Sequence, residues 1–242
     1  MLTQTIYLSV VIPAYNEEPN LAQTLQDISS YLARQNYAYE VIVVNDGSSD
    51  KTREIAVKNS CLFKEFNVLD NPANRGKGSA VKNGVLSAKG KLVLFMDADN
   101  STRINQLAKL IESINSGFDI AIGSRRIPGA EIGIPQPLRR RILGNFYIWL
   151  SRLLLGTKVR DFNCGFKLFT GNAANLIFPK LTRDDWSFDS ELIFLSDKLR
   201  LKLKEVPVKW QDKRTSKVKP LQDGIKSFLS LFKIKFQKYN LG

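Results

Sequence analysis

The sequence predicts an α/β fold in which a mostly parallel sheet carries helices on both faces. Apolar, β-branched segments without polar interruptions recur along the first half of the chain, and segments with helical spacing of apolar residues separate them. Strands that read as continuous apolar runs are typical of parallel sheets buried on both faces. The chain has 242 residues, 43% of them apolar, which is enough for a substantial core.

In chain order, the apolar runs predict strands at residues 6–12, 40–44, 66–69, 92–96, 119–123 and 203–210. Pro13 is expected to end the first of them. Apolar residues that recur at intervals of three and four predict helices at residues 20–32, 51–59, 79–88, 103–116, 138–155 and 221–239.

Two carboxylates, Asp97 and Asp99, directly follow the predicted strand 92–96, and Asp46 follows the strand 40–44. Ligands of parallel α/β sheets bind at the carboxyl ends of the strands, so these acids are expected at one edge. Paired carboxylates beside an apolar core need a cation, and hard oxygen ligands select Mg²⁺ or Mn²⁺. Asp-x-Asp-Asn is also ordinary turn chemistry, but the position at the sheet edge favours a ligand site.

Two further segments have both a functional and a structural interpretation. Gly76-Lys77-Gly78 precedes a predicted helix, where backbone N–H groups could bind a phosphate, although a tight turn explains the glycines equally well. The spacing matches neither a P-loop nor a dinucleotide-binding fingerprint. Asp189 and Glu191 open an apolar helical segment, where acids also complement the helix dipole.

Composition excludes several classes of chemistry. The chain has no histidine, which removes histidine-based triads and histidine-bound zinc. Its two cysteines, Cys61 and Cys164, form no metal-binding or disulfide pattern and fit a reducing compartment. The net charge of +13 is concentrated: residues 125–160 hold eight basic residues against one acidic, and residues 198–242 hold 13 against three. Such blocks indicate an anionic partner.

The predicted helices 138–155 and 221–239 are amphipathic and carry basic residues. This pattern is typical of helices that lie in a membrane interface, although a core helix packed on the sheet explains the first equally well. The sequence contains neither a recognisable signal peptide nor an uninterrupted apolar run of bilayer length. We therefore expect a cytoplasmic protein that associates peripherally with the cytoplasmic face of a membrane.

Several motifs occur in a specific order: VVIPAYNEEPNL, VIVVNDGSSDKT, NRGKGSAVKNGVL, FMDAD and GSR. Together they resemble the family 2 glycosyltransferases of the GT-A fold. Within this family, the chain is similar to the polyprenyl-phosphate sugar synthases. The later segments RDFNCGFKLFT, WSFDSELIF and VKWQDKRTSK most resemble the dolichyl-phosphate glucosyltransferase branch. The resemblance covers nearly the whole chain and is weakest beyond about residue 220.

The resemblance implies inverting transfer of a hexose, most simply glucose from UDP-glucose, to a dolichyl or undecaprenyl phosphate. It also implies a Mg²⁺ or Mn²⁺ cofactor bound by Asp99, with Asp97 as the second ligand and as a nucleotide contact. Asp189 matches the family's catalytic or acceptor-site carboxylate. The remaining nucleotide contacts that we expect are Pro13, Tyr15, Glu17, Asp46 and Lys77.

An anionic acceptor must approach an anionic donor, and guanidinium groups suit phosphate contacts. The candidates are Arg125, Arg139, Arg140, Arg141 and Lys217. Ser101 stands where the mannosyl branch has a metal-binding amide side chain, so the resemblance assigns no third metal ligand. We expect a catalytic domain over residues 1–220, with an acceptor loop and amphipathic helix inserted at 125–156, and a membrane-associating tail at 221–242.

Three alternatives remain open from the sequence. A GDP-mannose-dependent polyprenyl-phosphate mannosyltransferase would share the same motifs. A family 2 transferase with a soluble glycan acceptor would not need the basic block or the amphipathic helices. A nucleic-acid-binding protein would fit the pI of about 9.7, but the basic blocks alternate with aliphatic faces instead of base-stacking aromatic residues.

Overall fold

The computed structural model describes residues 5–134, 138–213 and 220–241, with the side chains of 139, 140 and 220–227 left undescribed. Its centre is a seven-stranded sheet with the order β3-β2-β1-β4-β7-β5-β8, and β6 and β9 form a small second sheet. Only β7 runs antiparallel to its neighbours in the large sheet, β4 and β5. The predicted mostly parallel α/β architecture is confirmed.

The strands are β1 Leu8–Ala14, β2 Tyr39–Asn45, β3 Phe66–Asp70, β4 Leu92–Met96, β5 Ile120–Ser124, β6 Glu131–Ile132, β7 Phe166–Thr170, β8 Leu203–Pro207 and β9 Lys209–Trp210. The helices are α1 Leu21–Leu32, α2 Thr52–Lys58, α3 Lys77–Ser87, α4 Leu107–Asn115, α5 Leu138–Leu155, α6 Gly171–Ile177, α7 Phe188–Lys198 and α8 Pro220–Phe236. Short 3-10 turns lie at Ser60–Leu62, Ile104–Gln106 and Phe178–Lys180.

Apolar residues on both faces of the sheet form two cores. Along β4, Val93 and Phe95 enter one core, and Leu92, Leu94 and Met96 enter the other. This alternation follows from the two-residue period of a strand. Helices α1, α2 and α4 contribute to the second core, while α3, α5, α6, α7 and α8 cover the first.

Several local predictions differ from the structure, and helix α8 ends at Phe236 instead of residue 239. Pro13 lies inside β1 instead of ending it, because β1 pairs with β4 only as far as Val11 and pairs beyond it with β2 alone. The antiparallel strand β7 was not predicted as a strand. The predicted strand 203–210 is two strands, β8 and β9, that belong to different sheets.

Helix α8 packs against α5 and α7, and its residues Leu231 and Ile234 are buried in the first core. The opposite side of the two helices is apolar but exposed, as Phe232, Phe236, Trp149 and Leu153 show. Across the three described stretches of the chain, no helix combines the length and the apolar character needed to cross a bilayer.

Candidate functional site

The loops that follow β1 and β2 are cross-linked by hydrogen bonds. The backbone N–H of Asn16 donates to Ser48 Oγ (3.0 Å), and that of Glu17 donates to Thr52 Oγ1 (2.7 Å). Asn16 adopts a positive φ of 52°, which asparagine tolerates better than most residues. Tyr15 is partly exposed beside this turn, and Pro13 lies just before it in β1. The expected nucleotide contacts thus lie close together in the chain, Pro13 near the end of β1 and Tyr15 and Glu17 in the loop that follows it.

Asp46 is buried at the end of β2, where its carboxylate holds the loop before α3. Its Oδ1 accepts hydrogen bonds from Asn71 Nδ2 (2.7 Å) and the Arg75 N–H (3.1 Å), and its Oδ2 accepts from the Gly76 N–H (2.9 Å). The next residue, Gly47, has φ +67°, and a Cβ there would lie 2.5 Å from the backbone of Ala73. Asp46 therefore fixes the backbone from which Lys77 extends.

Lys77, the first residue of α3, forms an ion pair with Asp97 at the end of β4. Its Nζ lies 2.6 Å from Asp97 Oδ1, 4.9 Å from the centre of the Trp186 ring and 5.3 Å from that of Phe95. Burial disfavours the charged form of Lys77, but Asp97 and Asp189 outweigh it and raise its pKa. A permanent cation is therefore held among the carboxylates of the sheet edge.

Asp99 lies two residues beyond Asp97 and is oriented by Ser101. The Ser101 N–H donates to Oδ1 (2.9 Å) and the Ser101 hydroxyl donates to Oδ2 (2.8 Å). Burial, followed by the charge of Asp97, raises the pKa of Asp99. The negative charges of Asp97 and Asp99 repel each other, so a bound cation would stabilise the ionised form of both carboxylates.

The donor set fits Mg²⁺ or Mn²⁺ as these ions are usually bound, with one or two carboxylates and the remaining ligands from substrate phosphates and water. Asp97 and Asp99 are both partly exposed at the sheet edge. Within the described part of the chain, no group of three or more acidic, cysteine or histidine side chains is arranged so that it could hold a metal ion by itself. These residues therefore suit an ion whose coordination shell is completed by a phosphate-bearing ligand, and they do not form an all-protein metal site.

Gly165, the residue before β7, allows Asp97 its position. The Asp97 N–H donates to the Gly165 carbonyl (2.9 Å), and a Cβ on Gly165 would lie 1.9 Å from Asp97 Oδ2. No side chain fits there unless Asp97 moves. Gly165 belongs to the motif RDFNCGFKLFT, but its distance from Asp97 cannot be predicted from the sequence, because it depends on the antiparallel pairing of β7 with β4.

We expect Gly165→Ala to displace Asp97 and to lower catalytic activity at least tenfold, with a loss of about 1–3 kcal/mol in the free energy of unfolding from overpacking. Gly171→Ala is the matched control. Gly171 is the first residue of α6, and a Cβ there would lie 3.3 Å from its nearest atoms, compared with 1.9 Å for a Cβ on Gly165. Urea denaturation and turnover measurements on both variants test this. Equal activity of Gly165→Ala and the wild type would contradict the role of Gly165.

Asp189 is buried in the first turn of α7 and forms an ion pair with Lys167 of β7. Lys167 Nζ lies 2.5 Å from Asp189 Oδ1 and donates to the Cys164 carbonyl (2.7 Å), and both side chains are almost inaccessible to solvent. Burial raises the pKa of Asp189, against the opposing charges of Lys167 and Lys77. Asp189 thus has a dedicated internal cation, which the sequence reasoning missed.

Arg125 follows β5, and its guanidinium group is hydrogen-bonded to the carboxylate of Asp161. Nε and Nη2 of Arg125 each lie 2.7 Å from an oxygen of Asp161, and the Arg125 N–H donates to the same carboxylate (2.9 Å). The next residue, Arg126, is exposed and donates from Nη1 to Asn145 of α5 (2.5 Å). Partial desolvation of its guanidinium group lowers the pKa of Arg126, and the charges of Arg125 and Arg141 act in the same direction against the opposing charge of Asp161.

The other predicted basic residues are less fully described. Arg141 is exposed in the first turn of α5, and Arg139 and Arg140 belong to the same turn. Lys217 lies outside the described residues. Arg126 interacts electrostatically with Arg125 and Arg141, and Arg125 with Asp97, so these three arginines lie near the end of β4 that carries Asp97.

The chain resembles several characterised proteins. Residues 9–177 match the family model described as glycosyl transferase family 2. The chain is 37% identical to a dolichyl-phosphate beta-glucosyltransferase of Drosophila melanogaster, over 95% of this chain and 74% of the relative. It is 34% identical to that of Homo sapiens, over 89% and 71%. A Trichomonas vaginalis relative of the same description is 36% identical over 88% of this chain, which spans 66% of that protein.

The fold is also that of a solved GT-A enzyme. Glucosyl-3-phosphoglycerate synthase from Mycobacterium tuberculosis, in complex with Mn²⁺, UDP and glucosyl-3-phosphoglycerate, superposes with a TM-score of 0.71 at 19% identity. The superposition covers 94% of this chain and 78% of the other. With the acidic sheet edge described above, these matches identify the type of protein: the chain belongs to glycosyl transferase family 2 and is a glycosyltransferase.

Proposed function

We propose that this enzyme transfers glucose from UDP-glucose to a polyprenyl phosphate, dolichyl or undecaprenyl, with inversion at the anomeric carbon. The observation that carries the proposal is the edge of the sheet where Asp97, Asp99 and Lys77 meet beside a group of arginines. This arrangement suits a reaction between two phosphate-bearing substrates. The names of relatives that are 33–37% identical supply the sugar and the lipid.

On the donor side, Asp99 with Asp97 would hold Mg²⁺ or Mn²⁺, which supplies positive charge to the diphosphate as it departs. Lys77 would contribute a second positive charge to the same group. The loop that contains Tyr15 and Glu17 would border the nucleotide. Asp46 would act indirectly, by holding the backbone that precedes Lys77. Its carboxylate accepts hydrogen bonds from the N–H groups of Arg75 and Gly76 and from the side chain of Asn71.

On the acceptor side, the attacking atom is an oxygen of a phosphate that is already ionised at neutral pH. The reaction therefore needs no histidine and no strong general base. Arg126 and Arg141 are the guanidinium groups that we assign to the acceptor phosphate, together with the undescribed side chains of Arg139 and Arg140. Arg125 would orient the loop after β5 through Asp161, since its hydrogen bonds are directed there.

A panel of donors and acceptors tests this function. UDP-glucose, GDP-mannose, UDP-galactose and UDP-N-acetylglucosamine would each be supplied with a polyprenyl phosphate or a soluble glycan, with Mn²⁺ or Mg²⁺. We expect transfer from UDP-glucose to the lipid alone, its loss with EDTA and its recovery with added metal. Consumption of GDP-mannose alone would refute the glucosyl assignment, and transfer only to the glycan would refute the lipid acceptor.

We also propose that α5 and α8 lie on the cytoplasmic face of a membrane and present the lipid acceptor to the site. Their outer surface exposes Ile142, Phe146, Trp149, Leu229 and Phe232. Basic residues flank it, including Lys233 and Lys235 in the last turn of α8. Apolar residues beside a basic fringe suit an interface rich in anionic lipid headgroups. Phe228, by contrast, packs against Phe146 and Tyr147 and belongs to the interface between α5 and α8.

We expect Phe232→Asp and Phe236→Asp together to weaken binding to anionic liposomes at least tenfold, because two exposed aromatic anchors are lost. Flotation of the protein with the vesicles measures this. Val57→Asp is the control, since Val57 is as exposed as Phe232 but lies on α2, which packs against α1, β2 and β3. Undiminished flotation of the double variant would contradict the role of α8.

A further inference from the structure

The end of the chain is hydrogen-bonded to a buried carboxylate of α7. Glu191 is inaccessible to solvent, and its two oxygens accept four hydrogen bonds. Oε1 receives the Thr182 hydroxyl (2.6 Å) and the Tyr239 hydroxyl (2.8 Å), and Oε2 receives the N–H groups of Thr182 (2.9 Å) and Arg183 (2.8 Å). A carboxylate offers about four acceptor positions, so Glu191 is saturated. Tyr239 and the segment that begins at Thr182 are thereby joined through one group.

Segment 182–187 forms the wall behind Lys77. The carbonyl of Asp184 accepts the N–H groups of Gly78 (2.7 Å) and Ser79 (3.3 Å) in the first turn of α3. A Cβ on Gly76 or Gly78 would lie 2.4 Å from the carbonyl oxygen of Asp184 or Arg183, respectively, so the contact is close. Two residues after Asp184, the Trp186 ring lies beneath the ammonium group of Lys77. The backbone and the ring of this segment therefore set where Lys77 points.

Segment 182–187 and the 3-10 turn just before it make further hydrogen bonds to the residues after α8. Arg183 Nη2 donates to Gln237 Oε1 (2.9 Å), and Lys180 Nζ donates to the Asn240 carbonyl (2.8 Å). Tyr239 also packs its ring against Phe194 of α7. Burial and the neighbouring Glu191 raise the pKa of Tyr239, so its hydroxyl remains a donor at physiological pH.

We propose that Tyr239 is a positioning residue for the donor site, acting through Glu191 and segment 182–187 on Lys77. The proposal rests on the proposed function in one respect, namely that Lys77 contacts the donor diphosphate. Tyr239 touches neither Lys77 nor Asp97 in this arrangement. Its contribution is to hold the wall against which Lys77 is aligned, so its loss should weaken donor binding and leave acceptor binding unchanged.

The test is Tyr239→Phe in the full chain, which removes one hydroxyl and keeps the ring. Loss of one hydrogen bond to a buried charge should weaken UDP binding in the presence of Mn²⁺ about three- to tenfold, measured by calorimetry. The KM for UDP-glucose should rise by a similar factor, with an unchanged KM for polyprenyl phosphate. Hydrogen exchange at residues 76–79 should become faster. Thr182→Val, which removes the other hydroxyl on the same oxygen, should act in the same direction.

The matched control is Tyr37→Phe, because the buried Tyr37 hydroxyl has no hydrogen-bond partner among the described residues and Tyr37 belongs to the loop that connects α1 to β2. It should leave UDP affinity unchanged. Wild-type affinity for UDP in Tyr239→Phe, with the wild type binding UDP normally, would overturn the positioning role alone. A fall in thermal stability with equal KM values for both substrates would also overturn it. Failure of the wild type to bind UDP at all would instead overturn the proposed function and this role with it.

Discussion

Asp99→Asn should reduce glucosyl transfer about 10³-fold, because the diphosphate would lose the charge that a carboxylate-bound metal supplies as it departs. Asparagine keeps the shape of the side chain and one oxygen that can accept from Ser101. Burial and Asp97 raise the pKa of Asp99, so its charge costs stability in the metal-free fold. We therefore expect the free energy of unfolding without metal to be unchanged or higher.

The measurement pairs initial rates of transfer with Mn²⁺ binding by calorimetry. Asp197→Asn is the control, because Asp197 is exposed in the last turn of α7 and its loss should change neither quantity. Full activity of Asp99→Asn would remove Asp99 from the metal site. Loss of activity with unchanged Mn²⁺ affinity would contradict its role as a ligand.

Lys167→Met should lower the free energy of unfolding by about 3 kcal/mol at neutral pH, since it leaves Asp189 buried without its cation. Replacing both partners, in Lys167→Met with Asp189→Leu, should recover most of this loss, because no charge then remains to be buried. Urea denaturation of the two variants and the wild type measures both effects. A single variant as stable as the double variant would contradict the importance of this ion pair.

The pH dependence of the single variant follows from the same pair. Burial already raises the pKa of Asp189 above its ordinary value of 3.8, and removing Lys167 removes a charge that opposes the shift. The folded state then binds a proton that the unfolded state releases, so stability is retained below the unfolded pKa and falls as pH rises through the folded one. Relative to the wild type, Lys167→Met should therefore lose stability over a wider range above pH 3.8.

The parallel strands could be predicted from the sequence, because each of them is marked by a local run of apolar residues. Strand β4 and helix α5 have the predicted bounds, since an unbroken apolar run and a sustained helical period leave few alternatives. Strand β7 was missed because it lies in a segment where polar, glycine and aromatic residues alternate without a clear period. Its antiparallel position between β4 and β5 is a long-range property that no local pattern encodes.

The candidate site shows the same division. Asp46, Asp97 and Asp99 could be selected as candidates because each lies at or shortly after the end of an apolar strand. The partners Lys167, Asp161 and Asn71 were missed, because an ion pair or hydrogen bond across the fold depends on which elements become neighbours. Arg125 illustrates the limit: its residue type suggested a phosphate contact, whereas its hydrogen bonds in the fold go to Asp161.

The insertion of β7 between β4 and β5 has a consequence for the order of assembly. Until residues 166–170 are synthesised, β4 has one unpaired side, and β5 has no partner connecting it to the first four strands. A chain that ended after β5 would present an apolar sheet edge, a well-known cause of aggregation. The same strand brings Gly165 to Asp97 and Lys167 to Asp189. The pairing of β7 therefore both joins β5 to the first four strands and places two residues of the acidic site.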